Sequence, residues 1–382
     1  FAGFLTYSNY GVVHVDPENE EELLEVWEGS QGTVAVVRQG GVLRTKLNNS
    51  YTLGASNAAL LLRRQAWVPL SVHPNPSSVF FLGMGTGISA GGSLDFPVDR
   101  VVVTELSADI VEASRSHFAP FLNGLFEDER VQIVPEDGRN FLFGVKEQFD
   151  VVIADLFLTE KSGVGDLYTR EHFERVRSRL SPGGLFAQWV PMGYLTEVEF
   201  EIIARTMLEV FPRVSVWRRG FSMSSPAIAL IGESEAHPLD VAAFREDIES
   251  LRIFGKMKRT DPVGRVPLAL YAGDLATVKS EFAMSPINTD DKPVVEYLAP
   301  ITHRDSRGLS RGQLVDFFAA LLDGLPPRDD PYLSELSEEE IKQVYAGFEL
   351  TSFLVARDAG SARNAGLHLR RFQDLTGISL VP

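Results

Sequence analysis

Three glycines and one carboxylate make the first chemical suggestion. The apolar run Val79-Phe80-Phe81-Leu82 enters Gly83-Met84-Gly85-Thr86-Gly87, and a second run, Val101-Val102-Val103, stops at Glu105. Glycine permits positive φ and a close approach of backbone to ligand. An acid closing the next strand accepts hydrogen bonds from both hydroxyls of a ribose. Strand, glycine turn, helix, strand, acid is the order that lets a nucleoside lie across a parallel sheet. The spacing is G-x-G-x-G. It is not the G-x-G-x-x-G of dinucleotide folds, whose free helix N-terminus serves a pyrophosphate. It suits a nucleoside without phosphate, such as S-adenosylmethionine and its relatives. The competing reading is a bare structural turn.

Other polar residues fall at matching places. Asp137-Gly138 follows the run Val131-Gln132-Ile133-Val134. There a carboxylate meets an adenine amino group and the next backbone amide meets a ring nitrogen, or else an Asp-Gly turn simply ends the strand. Asp155 closes Phe149–Asp155 and should face the reactive end of the ligand, because ligands of parallel sheets sit outside the strand C-termini. The segment from Leu156 to Asp166 holds Glu160 and Asp166 among Ser162, Gly163 and Gly165, the composition of a lid. Read singly, each of those two acids is an ordinary solvated loop residue. Gln188-Trp189 ends a further strand, where Gln188 could bond an amine or ribose and Trp189 could form a wall or belong to the core. His73, His117 and His172 are dispersed, without metal-ligand spacing. Asp290-Asp291, between Asn288 and Pro293, reads as an Asx-capped turn rather than a cation site. The expectation is no metal, no serine nucleophile elbow and no P-loop.

The elements that must position these residues follow from periodicity. Residues 1–75 form a β-rich part, with a hairpin signal at Gly40-Gly41 and a helical stretch at 56–67 closed by His73-Pro74-Asn75-Pro76. From 77 to about 235, strand and helix patterns alternate, with helices over Asp109–Phe118, Arg170–Leu180 and Glu197–Val210. Val214–Trp217 and Ala227–Ile231 are joined by a link too short for a helix and should pair antiparallel. Five parallel strands ending in such a hairpin make an α/β, class I methyltransferase-type sheet. Residues 236–300 add a helix near 239–252 and proline-punctuated segments. The stretch 308–382 is helical, with a capping box at Ser337–Glu340. The expected domains are 1–75, 76–300 and 301–382.

Length and composition bound the rest. The chain has 382 residues, 44% of them hydrophobic, with a net charge of −16 and no cysteine. That is enough for two or three domains and a sizeable core. No stretch approaches the ~20 apolar residues of a membrane span, which predicts a soluble chain. A chain opening on Phe1 reads as processed or excised from something longer. The acidic balance disfavours nucleic acid and either favours cationic ligands or serves solubility alone. Absence of cysteine excludes disulfides and thiolate chemistry.

Residues about 30–300 resemble the spermidine synthase (polyamine aminopropyltransferase) family, closest to its bacterial branch joined to a multi-pass membrane region. The resemblance rests on His73–Pro76 leading into Val79–Gly87, Glu105, Glu136-Asp137-Gly138-Arg139-Asn140 and Gly163–Thr169. Ser181–Trp189, Leu208–Pro212 and Asn288–Tyr297 continue it. It implies a small N-terminal β domain, a Rossmann-like catalytic domain and decarboxylated S-adenosylmethionine as propylamine donor. Gly83, Gly85, Gly87, Glu105, Asp137 and Gly138 would hold the nucleoside. Asp155 matches the first acid of the family's D-x-x-D-P motif, at the head of the gatekeeping loop. The second acid, the expected base, is here Leu158, followed by Thr159. Asn48-Asn49-Ser50 and Ser56-Asn57 stand where acids for a distal amine are expected.

The resulting expectation is aminopropyl transfer to an amine acceptor, with Asp155, Glu160 or Asp166 supplying the base and little turnover of putrescine. Gln188 and Trp189 are the substrate-side candidates. The alternatives are methyl transfer from S-adenosylmethionine and a non-catalytic nucleoside- or polyamine-binding domain. A homodimer is expected, in the cytoplasm, with membrane association only through a segment outside this chain.

Overall fold

Strands β1 (Glu22–Gly29), β2 (Gly32–Gln39), β3 (Val42–Leu47) and β4 (Tyr51–Ala55) pair antiparallel in that order. The hairpin between β2 and β3 turns on Gly40 and Gly41, both at positive φ, as a two-residue loop of this hand requires. Val34–Val37 are buried. The computed structural model describes residues 13–49, 51–155, 157–235, 238–253, 255–257, 261–305, 309–324, 329–330 and 332–379. Residues 1–12 of the β-rich part, Ser50 and Leu156 lie outside the described residues.

The chain packs as two units. One holds the described residues up to Trp67 with Ser77–Gly144, the other Val68–Pro76 with those from Val145 onward. In the first unit, β5 (Ser78–Leu82), β6 (Arg100–Thr104) and β7 (Val131–Val134) are parallel in the order β5-β6-β7, with Val79 opposite Val101 and Val101 opposite Val131. Val79, Phe80, Val101, Val102 and Val103 are all fully buried. Burial on both faces explains why these strands read as continuous apolar runs instead of alternating ones.

In the second unit, β8 (Phe149–Ala154), β9 (Leu180–Pro191), β10 (Arg213–Arg218), β11 (Ala227–Glu233) and β12 (Tyr271–Asp274) lie in the order β8-β9-β11-β10-β12. β8 and β9 are parallel and every other neighbour is antiparallel. The hairpin β10–β11 pairs as its short link predicts, with Trp217 opposite Ala229. It is not the sheet's edge. Tyr271–Asp274 adds a strand outside β10, which the sequence reading placed among proline-punctuated segments. Four residues with Gly273 at φ +136 leave too little pattern to read as a strand.

The helices are α1 (Ala59–Val72), α2 (Ile88–Gly92), α3 (Ala108–Phe118), α4 (Gly138–Gly144), α5 (Arg170–Arg177) and α6 (Glu197–Val210). They continue with α7 (Val241–Ile253), α8 (Val294–Asp305), α9 (Arg311–Gly324), α10 (Glu338–Asp358) and α11 (Ala362–Thr376). The architecture is thus α/β, a mainly parallel sheet with antiparallel strands at one end, an N-terminal antiparallel sheet and C-terminal helices. Two boundaries differ from expectation. α5 stops at Arg177, and α1 runs five residues past Trp67 through Pro69. An internal proline costs a helix about 3 kcal/mol. Trp67, Val68, Leu70 and Val72 are at most 1% exposed, and burying such side chains offsets that at roughly 1.5–3 kcal/mol each. α6 and α10 each begin with a capping box, Thr196 with Glu199 and Ser337 with Glu340.

On α7, burial and the neighbouring Glu246 push the Asp247 carboxyl up to about 6. A carboxyl whose folded pKa lies above its ordinary value opposes folding once charged. Below about pH 4 both states hold the proton and it costs nothing; the penalty grows as pH rises and is complete above about 6. Asp247→Asn should therefore raise stability at pH 7 and flatten that window. The group is only half-buried, so after solvent screening the gain is about 1 kcal/mol. Urea unfolding at pH 4 and pH 7 measures it; equal effects at both would show that Asp247 does not drive the slope.

Candidate functional site

In the first unit, β5 delivers its chain to Gly83, Gly85 and Gly87, which sit at φ 87°, 53° and 76°. Those angles lie in the left-handed region that side chains avoid. This explains the alternate-glycine spacing without any appeal to function. Glu105, 8% exposed, sits just beyond β6. Its Oε2 accepts the amides of Met84 at 3.1 Å and Gly85 at 3.2 Å, and its Oε1 accepts the amide of Ser107 at 3.1 Å. Burial pushes the Glu105 carboxyl up, and those amides pull it back towards the charged form. The acid is thus locked in place beside the glycine turn.

Asp137 and Gly138 open α4. Asp137 Oδ1 accepts the Asn140 amide at 2.9 Å, an N-terminal turn contact. A Cβ on Gly138 would fall 2.6 Å from Thr104 Oγ1 and 2.8 Å from Leu82 Cγ, so the helix start is seated against the ends of β5 and β6. The structure thus brings Gly85 and Glu105 into contact and sets Gly138 against the same strand ends.

In the second unit, Asp155 follows β8. The segment after it folds back through a 3-10 turn at Gly165–Tyr168, which contains Asp166. Tyr168 is fully buried and donates its hydroxyl to the Phe157 carbonyl at 3.0 Å. Its pKa is driven up by burial first, and then by the charges of Glu160, Asp155 and Glu199. The charges of Asp155, Glu160 and Glu199 thus act on Tyr168 in the same direction as its burial. Glu160 Oε1 lies 3.7 Å from Lys161 Nζ, while its Oε2 is buried with no hydrogen-bond partner among the described residues. Asp155 and Glu160 are brought together with Tyr168, a residue the sequence reading did not single out.

The same loop is clamped. Glu296 on α8 accepts the Gly163 amide at 2.8 Å through Oε1 and the Gly165 amide at 2.9 Å through Oε2. Asn288 donates its side-chain amide to the Gly165 carbonyl at 3.0 Å and accepts the Val295 amide at 3.1 Å. Thr289 and Lys292 close a tight turn, as the Asx reading of that segment expects. The Asp290 backbone amide donates to Glu171 at 3.0 Å.

Gln188 and Trp189 are both fully buried on β9. Successive strand residues point to opposite faces, so the two do not line one surface. Gln188 Nε2 donates to the Trp189 carbonyl at 3.1 Å, and its Oε1 has no partner among the described residues. In the N-terminal sheet, Asn48 and Asn49 make the β3–β4 turn at positive φ. Asn48 accepts the Thr33 amide, and Ser56 accepts the Leu43 amide. Their side chains serve the backbone.

The comparisons with known proteins fall into place against this geometry. A family model described as the spermine/spermidine synthase domain matches residues 65–218. A polyamine aminopropyltransferase from Pyrobaculum calidifontis is 30% identical over 209 residues, covering 53% of this chain and 71% of the relative. The chain belongs to the spermidine synthase family. Against the polyamine aminopropyltransferases of Korarchaeum cryptofilum and Pseudomonas aeruginosa, each 33% identical, it spans about half the relative's length, 47% and 43%. A spermidine synthase solved with the transition-state analogue AdoDATO covers 78% of this chain at TM-score 0.53 and 18% identity. The Thermotoga maritima spermidine synthase gives TM-score 0.54 at the same identity. At that identity the likeness shows the fold, which is the family's. No described helix is long and apolar enough to cross a membrane.

Proposed function

We propose that this chain transfers the aminopropyl group of decarboxylated S-adenosylmethionine to a cationic amine. Gly83, Gly85, Gly87, Glu105, Asp137 and Gly138 hold the nucleoside. Asp155, Glu160 and Asp166 serve the amines. The single observation that carries this reading is the buried oxygen of Glu160, which has no hydrogen-bond partner among the described residues and lies in the loop that follows Asp155. A decarboxylated donor ends in an ammonium, which an acid receives. An undecarboxylated one ends in a carboxylate, which these acids repel. In the step itself the acceptor nitrogen attacks the propyl carbon on sulfur, the C–S bond breaks and methylthioadenosine leaves. The nitrogen's proton must pass to a base. Leu158 stands where the family motif has its second acid, so that base is Glu160, with Asp155 orienting the cation and Asp166 in reserve.

Family membership and the match to known polyamine aminopropyltransferases support the reaction class. The homodimer, the cytoplasmic location and the link to a membrane region outside this chain belong to the same proposal and rest on the sequence resemblance alone. So does a division of labour among residues 1–75, 76–300 and 301–382, which limited proteolysis would test.

Calorimetry with decarboxylated S-adenosylmethionine, S-adenosylmethionine and methylthioadenosine decides the donor. The decarboxylated form should bind at least tenfold more tightly than the carboxylated one; the reverse order would move the reading to methyl transfer. Glu105→Ala should weaken all three by roughly 1–3 kcal/mol, because it removes the acceptor for buried hydroxyls and frees the Met84 and Gly85 amides. Unchanged affinity in a folded Glu105→Ala protein would remove Glu105 from the site. Product analysis with a panel of di- and triamines then identifies the acceptor.

A further inference from the structure

Glu296 stands in the first turn of α8, where the helix dipole alone favours a carboxylate. Its two oxygens do more than that. Oε1 takes the Gly163 amide at 2.8 Å and Oε2 the Gly165 amide at 2.9 Å, 133 and 131 positions back in the chain. Hydrogen bonds to an ionised carboxylate are roughly twice as strong as neutral ones. The backbone of α8 closes on the same point. A Cβ on Gly165 would fall 2.7 Å from the amide nitrogen of Glu296 and 2.8 Å from its Cα, so a glycine is needed for the loop to lie this close.

The loop's own backbone bonds are short-range turns. The Lys161 amide donates to the Leu158 carbonyl, Val164 to Lys161 and Leu167 to Val164. Such turns shape a loop without fixing where it lies. Tyr168 ties the two ends together through the Phe157 carbonyl. Asn288, fully buried, holds the Gly165 carbonyl and is itself seated by bonds to Val295, Thr206 and Arg170. Asn288 thus secures the far foot of the loop. Glu296 reaches beyond that foot to Gly163, on the stretch between Glu160 and Asp166.

We propose that Glu296 is a positioning residue for the transfer reaction. By clasping Gly163 and Gly165 it holds Glu160 and Asp166 in register with the reacting amine, and it acts through the loop instead of on the substrate. The role in transfer rests on the proposed reading of that loop as the amine side of the site; the clasp itself does not.

The test compares the unmodified full chain with Glu296→Ala, Glu296→Gln and Gly165→Ala. Hydrogen exchange read by mass spectrometry follows the clasp without any substrate. Peptides covering 157–168 should exchange about tenfold faster in Glu296→Ala and in Gly165→Ala. Unchanged exchange in both would overturn the proposal. Should Glu296→Ala fail to fold, Gly165→Ala gives the same readout with the carboxylate intact. Aminopropyl transfer to the amine panel then reads positioning. A misplacement of about 1 Å costs ~10²-fold in rate, so kcat should fall by about that factor, while calorimetric affinity for methylthioadenosine stays within about twofold. Glu296→Gln keeps one acceptor oxygen and should fall between the unmodified chain and Glu296→Ala. Equal losses in the Gln and Ala variants would assign the effect to charge at the helix start and overturn the clasp. Full kcat in a Glu296→Ala protein whose loop exchanges faster would overturn the positioning role. If the unmodified chain transfers to no amine, the role in transfer falls with that reading, and the exchange result separately shows whether the clasp stands.

Discussion

Glu160→Gln should lower the rate of amine transfer ~10²–10⁴-fold, the usual cost of losing a general base, while leaving nucleoside affinity within twofold. An alkylammonium has a pKa near ~10, so at neutral pH an acceptor must shed its proton to attack. The loop offers one carboxylate with a buried, unpartnered oxygen, Glu160, and Leu158 cannot take the role. Glutamine keeps the shape and removes the basicity, so the loss should appear in kcat with little change in KM. The loop should stay in place, because Glu296 and Asn288 hold it through backbone groups that Glu160 does not touch. Full rate in Glu160→Gln would transfer the base to Asp155 or Asp166. A gain of putrescine turnover in Leu158→Asp would show that the fold accepts the family's usual acid, and that the natural acceptor differs from putrescine. Robust putrescine turnover by the unmodified chain would show that Leu158 does not disable the site.

The second large effect concerns stability. Arg213→Met should destabilise the chain by about 3–5 kcal/mol, the typical result of removing one partner from a buried ionic cluster. Arg213 Nε donates to Asp274 at 3.1 Å and Nη2 to Asp330 at 2.9 Å. Its guanidinium also lies 3.6 Å from the Tyr332 ring centroid. All four side chains of the ion-pair set, Glu233 included, are at most 9% exposed. Burial by itself would lower the Arg213 pKa; Glu233 and the other groups around it outweigh that and hold it above its ordinary value. Methionine would leave three acids buried without their cation. Asp330 also accepts the Tyr271 hydroxyl and the Tyr332 amide, so the loss should loosen the segment leading into α10. Urea unfolding gives the magnitude, and limited proteolysis should show earlier cleavage after residue 324. Arg213→Lys, which restores the charge but not the fork, should recover part of the loss. A Met variant within 1 kcal/mol of the unmodified chain would show that the cluster is not a net support. The same cluster bears on truncation near residue 305. Such a chain keeps the glycine turn and Glu105, but loses Asp330 and should be less stable than the full one.

What the sequence could determine was local. Strands buried on both faces must be continuous apolar runs, so β5, β6, β8 and much of β9 to β11 were legible from Val79–Leu82 onward. Backbone at positive φ favours glycine, so the turns at Gly40-Gly41 and Gly83–Gly87 announced themselves. Glu105, Asp137 and Asp155 were singled out because a parallel sheet presents ligands beyond its strand ends, where all three stand. Capping boxes are spaced three residues apart and survive as a pattern. The remaining features join residues that lie far apart in the chain. Glu296 reaches Gly163 across 133 positions, Arg213 reaches Asp330 across 117, and Arg218 has its carbonyl partners more than fifty positions away. No periodicity records such contacts, because each partner's own neighbourhood is ordinary. For the same reason β12 escaped notice, since four residues become a strand only when β10 offers an edge. Likewise, the Glu160 oxygen and the Arg218 Nε and Nη2 that find no partner among the described residues are facts of enclosure: whether a polar atom has a partner is settled by what the fold packs around it.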